Sequence, residues 1–292
     1  MSSSQPTLGI IGAGRVGGAL ARALHERGYR IAAVYSRSES FAAELAKAVG
    51  ADNVETAEAV VDKANLTILT VSDVAIQDVC AQLAMRDLTN RAVIHTSGAT
   101  SVSALDAARV RGAYIGGLHP VWPVDRGDRP MPPGAVFGIE ASDTLLRDWL
   151  RDLVNALGGK AFWLPTGIDR VYYHAATVLL SNYLVTLYAE ASHLWTELGI
   201  DAGAAREGLI GMLRATVENL AHNAPEAVLT GPIVRGDADT VRGHLTTFDQ
   251  TDPELAAAYR ALGQLTIRIA KTRGLSAERV RTLNKALSDS LD

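Results

Sequence analysis

Leu8-Gly9-Ile10-Ile11-Gly12-Ala13-Gly14-Arg15-Val16-Gly17-Gly18 is the part of this 292-residue sequence that says most about its fold. An apolar segment leads into the glycines, and an amphipathic segment from Ala19 to Arg27 follows them. In a strand–turn–helix unit, Gly12 permits the tight turn, Gly14 lets the backbone approach a pyrophosphate, and Gly17 lets the helix pack closely on the strand. The amino terminus of such a helix attracts phosphates. This context predicts a dinucleotide-binding site of the Rossmann type, whereas the glycines alone would also fit a turn in an unrelated α/β fold.

The first half of the chain alternates short apolar runs with amphipathic stretches, which is the pattern of βαβ units in a parallel sheet. The predicted strands are Leu8–Ile11, Ile31–Tyr35, Leu66–Val71, Ala92–Thr96, Ala113–Leu118, Val136–Glu140 and Ala161–Leu164. The predicted helices between them lie near Val16–Arg27, Ser40–Val49, Ala75–Met85, Val102–Ala108 and Thr144–Leu157. The segment Trp122–Gly134 is rich in proline, glycine and charge, which predicts a loop or lid.

The strand pattern ends near Pro165, and the remaining sequence is typical of long helices. These helices are predicted at roughly Ile168–Leu198, Ala202–His222, Asp237–Leu245, Pro253–Thr272 and Ser276–Leu287. Asp201 and Asp252 are helix-start signals directly before two of them. We therefore expect an α/β Rossmann domain with a parallel sheet over residues 1–165. An all-helical domain for substrate binding and dimerisation should occupy residues 166–292.

The end of the second predicted strand distinguishes the two nicotinamide cofactors. A site for NAD normally places Asp or Glu there to accept hydrogen bonds from the ribose. This chain has Ser36-Arg37-Ser38 instead, so an arginine and two hydroxyls can bind a 2′-phosphate and no carboxylate repels it. The sequence therefore predicts NADP(H), unless Arg37 is an ordinary surface residue. Arg15 could reach the pyrophosphate or the adenine side of the cofactor.

The composition argues against several classes of function. The formal net charge is −4 and the pI is about 6.0, with no run of like charges, so we expect neither a nucleic-acid nor a membrane partner. Cys80 is the only cysteine, which fits a reduced, cytoplasmic protein, and the sequence shows no metal-ligand spacing and no secretory signal. We interpret the longest apolar segment, Val171–Trp195, as a buried helix with enough apolar surface for a homodimer contact.

Further motifs make the chain resemble a known group of reductases. These motifs are Gly12–Gly17, Ser36-Arg37-Ser38, Thr70-Val71-Ser72-Asp73, His95-Thr96-Ser97-Gly98 and Gly117-Leu118-His119-Pro120. Together they resemble the Rossmann-like NADP-dependent oxidoreductases related to ketopantoate reductase, pyrroline-5-carboxylate reductase and the 3-hydroxyacid dehydrogenases. The second half, with Tyr173-His174-Ala175-Ala176 and the segment Leu229–Asp237, is similar to a helical domain found behind such Rossmann domains. That domain is of the type at the C-terminus of 6-phosphogluconate dehydrogenase.

The resemblance implies an active site in the cleft between the two domains, where the helical domain closes over the nicotinamide. It also implies that the turns at the ends of the predicted strands Leu66–Val71 and Ala92–Thr96 contact the cofactor and the substrate. Those turns are Val71–Asp73 and Thr96–Gly98, and the predicted contacts are Val71, Ser72, Asp73, Ser97 and Gly98.

Reduction of a C=O or C=N bond requires a hydride, which the cofactor supplies, a proton donor, and groups that polarise the acceptor. The resemblance implies a lysine at the start of the first long helix of the second domain, but this chain has Arg170 there. Arginine cannot act as a general acid near neutral pH, although it can bind a carboxylate. Arg170 is therefore either an anchor for a substrate carboxylate or an interdomain ion-pair residue.

Successive residues of a helix are ~100° apart, so one stripe of this helix contains Arg170, His174, Thr177 and Ser181. Asn182 lies at the flank of this stripe. A buried polar stripe is costly without partners, so it should line a cleft or be fully hydrogen-bonded. His174 can exchange a proton near neutral pH. It is therefore either an acid in the cleft or a structural histidine.

Three more residues are candidates for the site. His119, at the carboxyl edge of the sheet, either competes with His174 as the acid or stabilises a turn. Ser97 either contacts the nicotinamide or the substrate, or caps a helix. Arg235 binds an acidic substrate if its loop reaches the cleft, while Asp237 is the N-cap of the next helix in the simpler interpretation.

These observations predict an NADPH-dependent reductase of a small carboxylate-bearing substrate with a C=O or C=N bond. A 2-oxo acid of the ketopantoate type is the first choice by analogy, and pyrroline-5-carboxylate ranks below it. The alternative is a non-catalytic protein that senses NADP(H). The missing lysine favours that alternative, and the polar stripe opposes it.

Overall fold

The computed structural model describes residues 5–122 and 134–288, so residues 123–133 of the predicted loop lie outside the described part. Within that part, eight strands form one sheet in the order β3-β2-β1-β4-β5-β6-β7-β8. The strands are β1 (Leu8–Ile11), β2 (Ile31–Tyr35), β3 (Asp52–Asn53), β4 (Leu66–Leu69), β5 (Ala92–His95), β6 (Tyr114–Pro120), β7 (Val136–Ala141) and β8 (Lys160–Trp163). The α/β fold predicted from the sequence is confirmed.

Strands β1 to β6 are parallel, and their carboxyl ends therefore lie at one edge of the sheet. The predicted sheet was parallel throughout, but β7 runs antiparallel to β6 and pairs in parallel with β8. Antiparallel neighbours need no crossover helix. In this pairing His119 lies opposite Gly138, and Gly117 lies opposite Glu140.

Helices cover both faces of the sheet because its strands are apolar on both sides. They are α1 (Arg15–Glu26), α2 (Glu39–Val49), α3 (Ala57–Lys63), α4 (Ile76–Leu83), α5 (Asp106–Val110) and α6 (Thr144–Ala156), and α7 (Arg170–Leu180), which follows β8, has only Arg170 buried. Leu8 and Ile10 of β1 join the core under α1, α2 and α6. Ile11 joins the other core, under α3, α4 and α5. Each face is thus a separate hydrophobic layer, as in a doubly wound fold.

The rest of the described chain is helical. Its helices are α8 (Asn182–Glu197), α9 (Ala202–His222), α10 (Pro225–Val228), α11 (Pro232–Arg235), α12 (Ala238–Thr251), α13 (Pro253–Thr272) and α14 (Ala277–Ser288). Helices α11 to α14 enclose a third core around Val241, Ile267 and Leu283. The contacts divide the chain into two compact units, Met1–Leu184 and Val185–Asp292, so α7 is grouped with the sheet. The predicted boundary at residue 165 stays a prediction.

The predicted helix Ile168–Leu198 is two helices, and this part of the prediction was wrong. Helix α7 ends at Leu180, and Ser181 separates it from α8. The hydroxyl of Ser181 lies 2.8 Å from the Thr177 carbonyl oxygen and 2.7 Å from Oδ1 of Asn182, and its single proton is donated to one of these acceptors at a time. Hydroxyls that bond to backbone carbonyls in this way bend or end helices.

Burial of the segment Val171–Trp195 was also predicted wrongly. Helix α8, all of which the structure describes, contains no buried residue, and Val171 in α7 is 70% exposed. Apolar composition indicates that a surface tends to be covered, but it does not say by which molecule. Among the described residues, no helix is both long and apolar enough to cross a membrane.

Candidate active site

The glycine loop, Gly12–Gly17, joins β1 to α1 in a conformation that requires glycine at two positions. Gly12 has φ +110°, and a Cβ there would lie 2.7 Å from the carbonyl oxygen of Thr70. A Cβ on Gly17 would collide with the carbonyl oxygen of Gly12 and with Oγ1 of Thr70. A Cβ on Gly14, by contrast, would meet no atom within 4 Å. Gly14 therefore leaves open space at the amino terminus of α1, where a phosphate group can approach the backbone.

Thr70, which directly follows β4, holds this loop in place. Its hydroxyl donates to the carbonyl oxygen of Gly12 at 2.5 Å and lies 3.2 Å from that of Ile11. Thr70 lies within one of the motifs that carry the family resemblance, but no role was predicted for it. The signal was its position at the end of a strand that neighbours β1.

A pocket of about 390 Å³ lies at the carboxyl edge of β1, β2 and β4. Its lining includes six of the predicted cofactor residues: Gly12, Gly14, Ser36, Arg37, Val71 and Ser72. It also includes Asp78 and Gln82 from α4, which the sequence analysis missed because this helix carries no phosphate-binding motif. The pocket therefore unites the glycine loop with the segment predicted to bind a 2′-phosphate.

The charged residues in the pocket lining are Arg37 and the acidic Asp78, and the phosphate-binding end of the pocket is that of Arg37 and the glycine loop. Helix α1 has no acidic residue in its first turn. Arg37 is exposed, and among the described residues it forms no ion pair or hydrogen bond, so its guanidinium is available to an anion. Arg15 is also exposed, at the start of α1.

The other predicted cofactor residues are placed around the pocket rather than in its lining. Ala13 and Val16 are half-buried and pack against the core under α1. Ser38 is the N-cap residue of α2, and its hydroxyl lies 3.2 Å from that of Ser40. Asp73 is exposed and begins a short 3₁₀ turn before α4.

The turn at Ser97 and Gly98, here called the Ser97–Gly98 turn, follows β5 at the same edge of the sheet. The hydroxyl of Ser97 accepts a hydrogen bond from the amide of Thr100 and lies 2.9 Å from its hydroxyl, so it stabilises the turn itself. A Cβ on Gly98 would lie 2.6 Å from Nε2 of His119 and 2.6 Å from Cδ2 of His174. The structure therefore brings Gly98, His119 and His174 together.

His119 lies at the end of β6 and is 8% exposed. Its Nδ1 lies 2.8 Å from the hydroxyl of Tyr173 in the first turn of α7. Burial, assisted by the charge of Arg170, lowers the pKa of His119 to about 4. The imidazole is consequently neutral near pH 7. Tyr173 belongs to a motif of the family resemblance, but no role of its own was predicted for it.

Arg170 is 4% exposed and is bound on two sides. Its Nη2 donates to the carbonyl oxygen of Ser97, and its Nη1 lies 3.7 Å from Oε2 of Glu140 on β7. Burial raises the pKa of Glu140, and the nearby guanidinium opposes that shift. Arg170 is thus an ion-pair residue within the first compact unit, tied to the Ser97–Gly98 turn.

His95, the last residue of β5, is fully buried beside this ion pair. Burial and the charge of Arg170 lower its pKa to about 4, so it too is neutral near pH 7.

The predicted polar stripe of α7 is largely satisfied within the helix. The hydroxyls of Thr177 and Ser181 donate to the backbone carbonyls of His174 and Thr177, both at 2.8 Å. Asn182 lies outside α7 and begins α8. His174 is half-buried, with its ring centroid 6.1 Å from that of His119. Of the stripe, Arg170 and His174 contact the Ser97–Gly98 turn.

Arg235 belongs to the second unit and is exposed at the end of α11. Asp237 accepts hydrogen bonds from the amide and the hydroxyl of Thr240 and is the N-cap of α12. The same unit contains a second histidine–tyrosine pair, in which Nδ1 of His244 lies 2.8 Å from the hydroxyl of Tyr259.

Two segments of the chain match known families. Residues 7–98 match the family described as NADP oxidoreductase, coenzyme F420-dependent. Residues 135–266 match a family described as a domain of unknown function. The chain is an NADP-dependent oxidoreductase. The predicted cofactor and enzyme class are thereby confirmed, whereas the comparison with curated proteins gives no match.

Solved structures resemble the chain over nearly its whole length. A Bacteroides fragilis protein assigned as an NADP oxidoreductase is 24% identical, with 90% of this chain and 98% of that chain covered and a TM-score of 0.75. A pyrroline carboxylate reductase from Plasmodium falciparum, solved with NADP bound, is 12% identical, with 91% and 98% covered and a TM-score of 0.60. A reductive aminase from Aspergillus terreus, in complex with NADPH and ethyl-5-oxohexanoate, is 18% identical, with 97% and 93% covered and a TM-score of 0.59. These likenesses support the fold.

Proposed function

We propose that this oxidoreductase transfers hydride from NADPH to the carbon of the C=O or C=N bond of a small carboxylate-bearing substrate, while the oxygen or nitrogen takes up a proton that comes from solvent. The observation that carries the proposal is the pocket in which Arg37 and the glycine loop face the same space. A free guanidinium beside Ser36, with no acidic residue at the end of β2, favours a 2′-phosphate.

The order of the strands supports a site at the Ser97–Gly98 turn. A dinucleotide with its 2′-phosphate at β2 and its pyrophosphate at β1 extends along the sheet edge toward β4 and β5. Neighbouring strands are about 5 Å apart, so the ends of β5 and β6 lie within reach of a nicotinamide that follows this path. We assign the substrate to the part of the site that is formed by Gly98, His119 and His174.

The proposed substrate carries a carboxylate, and a ketopantoate-type 2-oxo acid is the first choice. Arg170 is already bound to Glu140 and to the carbonyl of Ser97, which argues against its use as the substrate anchor. Arg235 is exposed and remains the proposed carboxylate ligand. Arg235→Ala should raise KM for acidic acceptors without changing the affinity for NADPH.

Arg37→Asp tests the cofactor part of the proposal. It replaces the phosphate-binding cation by an anion, so the Kd for NADPH should rise about a hundredfold while that for NADH changes about twofold at most. Arg30→Asp is the matched control, since this exposed residue precedes β2 whereas Arg37 follows it. Fluorescence titration of both variants decides the question, and equal weakening of the two cofactors by Arg37→Asp contradicts the assignment.

NADPH consumption measured with a panel of acceptors tests the reaction. The panel comprises 2-oxo acids, cyclic imines with a carboxylate, the same compounds as esters, and coenzyme F420, which the description of the matched family names. We expect turnover of an acid and at least tenfold less turnover of its ester. Tight binding of NADPH without turnover of any acceptor would instead support the non-catalytic alternative.

We further propose that the protein is a cytoplasmic homodimer. Helices α8 and α9 expose Tyr183, Val185, Met212 and Val217 by 56%, 67%, 62% and 56%. A 16-residue helix without buried residues gains little stability by itself, so a covering surface is expected. A second copy of the chain supplies an identical apolar surface. The single cysteine, Cys80, is buried and free, which suits a reducing compartment.

A further inference from the structure

His119 and Tyr173 form a pair whose surroundings are shaped to hold it. Nδ1 of His119 and the Tyr173 hydroxyl are 2.8 Å apart, and the two rings meet edge to face with centroids 5.5 Å apart. His119 lies on β6 and Tyr173 lies on α7, and the two residues are 54 positions apart in sequence. The contact is therefore a product of the fold and not of local chain geometry.

Two glycines make room for this pair, one at each end. A Cβ on Gly98 would lie 2.6 Å from Nε2 of His119. A Cβ on Gly138, which pairs with His119 across β6 and β7, would lie 2.6 Å from the Tyr173 hydroxyl. Any larger residue at either position would displace the imidazole or the phenol. Nδ1 is thus directed at the phenol, and Nε2 is directed at the Ser97–Gly98 turn.

We infer that Tyr173 donates its hydroxyl proton to Nδ1 of His119 and thereby keeps the ring proton on Nε2, which polarises the substrate C=O or C=N bond at the Ser97–Gly98 turn. His119 is then the catalytic residue that touches the substrate, and Tyr173 is a positioning residue. This inference rests on the proposed reductase function, which it extends by naming the donor atom.

The direction of the hydrogen bond follows from the chemistry of the two groups. A phenol is the more acidic donor, and an unprotonated imidazole nitrogen is the more basic acceptor. Burial raises the pKa of Tyr173, so the phenol keeps its proton to donate. Because the bond made by one ring nitrogen fixes where the other carries its proton, donation to Nδ1 places the proton on Nε2.

Burial is the main reason why the ring of His119 is neutral, and the charge of Arg170 on α7 adds to it. His174 on α7 and His95 on β5 also face the ring and contribute less, and Glu140 on β7 is paired with Arg170. A neutral imidazole donates one hydrogen bond and does not need to titrate near neutral pH. Its role is comparable to that of an amide donor in an oxyanion hole.

The proton position is measured by long-range proton–nitrogen NMR on the full-length protein with labelled histidine, with and without NADPH. We expect His119 to show protonated Nε2 and bare Nδ1 throughout pH 5.5 to 8, and His119→Gln identifies its signals. Tyr173→Phe should give a mixture of tautomers. A proton on Nδ1, or an imidazolium at pH 7, in the wild-type protein would overturn the inference.

Kinetics add a second test. Tyr173→Phe should lower kcat about tenfold while leaving the Kd for NADPH unchanged, because the donor remains but is no longer oriented. Tyr259→Phe is the matched control, since it removes the phenol of the His244 pair in the other unit and should leave kcat unchanged. An unchanged kcat in Tyr173→Phe overturns the positioning role. If the wild-type protein reduces no acceptor, the reductase proposal fails, while the NMR result still decides the state of His119.

Discussion

His95 and His119 end neighbouring strands, and burial lowers the pKa of each imidazole from 6.5 to about 4. The unfolded chain takes up protons on both residues below about pH 6.5, whereas the folded chain does so only near pH 4. The free energy of unfolding should therefore be constant above pH 6.5 and fall as the pH decreases from 6.5 to 4. Each histidine contributes at most about 1.4 kcal/mol per pH unit to this slope.

Urea denaturation of wild type and His95→Gln between pH 7 and pH 4.5 checks this prediction. The variant should show the shallower dependence on pH, because it no longer binds the proton that favours unfolding. His25→Gln is the control, since His25 is exposed. Parallel curves for wild type and His95→Gln would contradict the role assigned to burial.

Gly14 and Gly17 lie in the same loop but should respond differently to a methyl group. Gly17→Ala places Cβ against backbone atoms of Gly12, so it should destabilise the protein by a few kcal/mol and also impair cofactor binding. Gly14→Ala meets no atom within 4 Å and has φ −79°, which alanine adopts freely, so the fold should remain. Because a pyrophosphate must approach this backbone, Gly14→Ala should still weaken NADPH binding at least tenfold.

Thermal unfolding and NADPH titration of the two alanine variants separate these effects. A Gly14→Ala variant that binds NADPH as tightly as wild type would show that the cofactor does not approach the loop at Gly14. A Gly17→Ala variant with unchanged stability would contradict the tight packing of α1 against Gly12 and Thr70.

At the scale of elements, α7 is fixed to the sheet through its first residue. Arg170 contacts the carbonyl of Ser97 and lies 3.7 Å from Glu140. Glu140→Gln leaves a buried guanidinium without its counter-charge and should lower the free energy of unfolding by about 2 kcal/mol. The double variant Glu140→Gln with Arg170→Met removes both charges and should recover part of that loss. A double variant no more stable than Glu140→Gln, measured by urea denaturation, would contradict the ion pair.

The sequence predicted those helices and strands whose signals lie within the segment itself. The bounds of β1, β2 and α9 match the prediction because apolar alternation, capping residues and glycines lie inside each segment. Helix α3 was missed, since its seven residues make only two turns and show little periodicity. The break at Ser181 was missed because serine is tolerated within helices, and its hydroxyl here bonds back to the helix carbonyls.

Residues of the candidate site could be predicted only where they lie together in one continuous motif. The glycine loop and Ser36-Arg37-Ser38 were found because each is a continuous stretch beside a strand end. Tyr173 was not assigned a role because its partner, His119, is 54 residues away. The burial that makes His119 neutral depends on β5, β6, β7 and α7 together, and no pattern within one of these elements contains it. Pairing between distant elements thus limits what a single sequence tells about catalysis.

At the scale of the whole molecule, the helical unit has a core of its own but leaves other apolar surfaces exposed. Helices α11 to α14 bury Val241, Leu283 and Leu287. On α8 and α9, in contrast, Leu187 and Leu220 are 43% and 46% exposed. Exposed apolar surface on neighbouring helices marks an interaction surface when it is contiguous. This is the physical basis for the proposed homodimer.

Leu187→Glu tests the dimer, because a charge placed in an apolar contact between two copies is costly to desolvate. The wild-type protein should have twice the chain mass of 30.9 kDa in light scattering after gel filtration, and Leu187→Glu should shift toward the single-chain mass. Met85→Glu is the control, since Met85 is 76% exposed but lies after α4 in the first unit. It should leave the mass unchanged. A wild-type protein that stays at the single-chain mass up to high micromolar concentration would contradict the homodimer, and α8 would then need another covering partner.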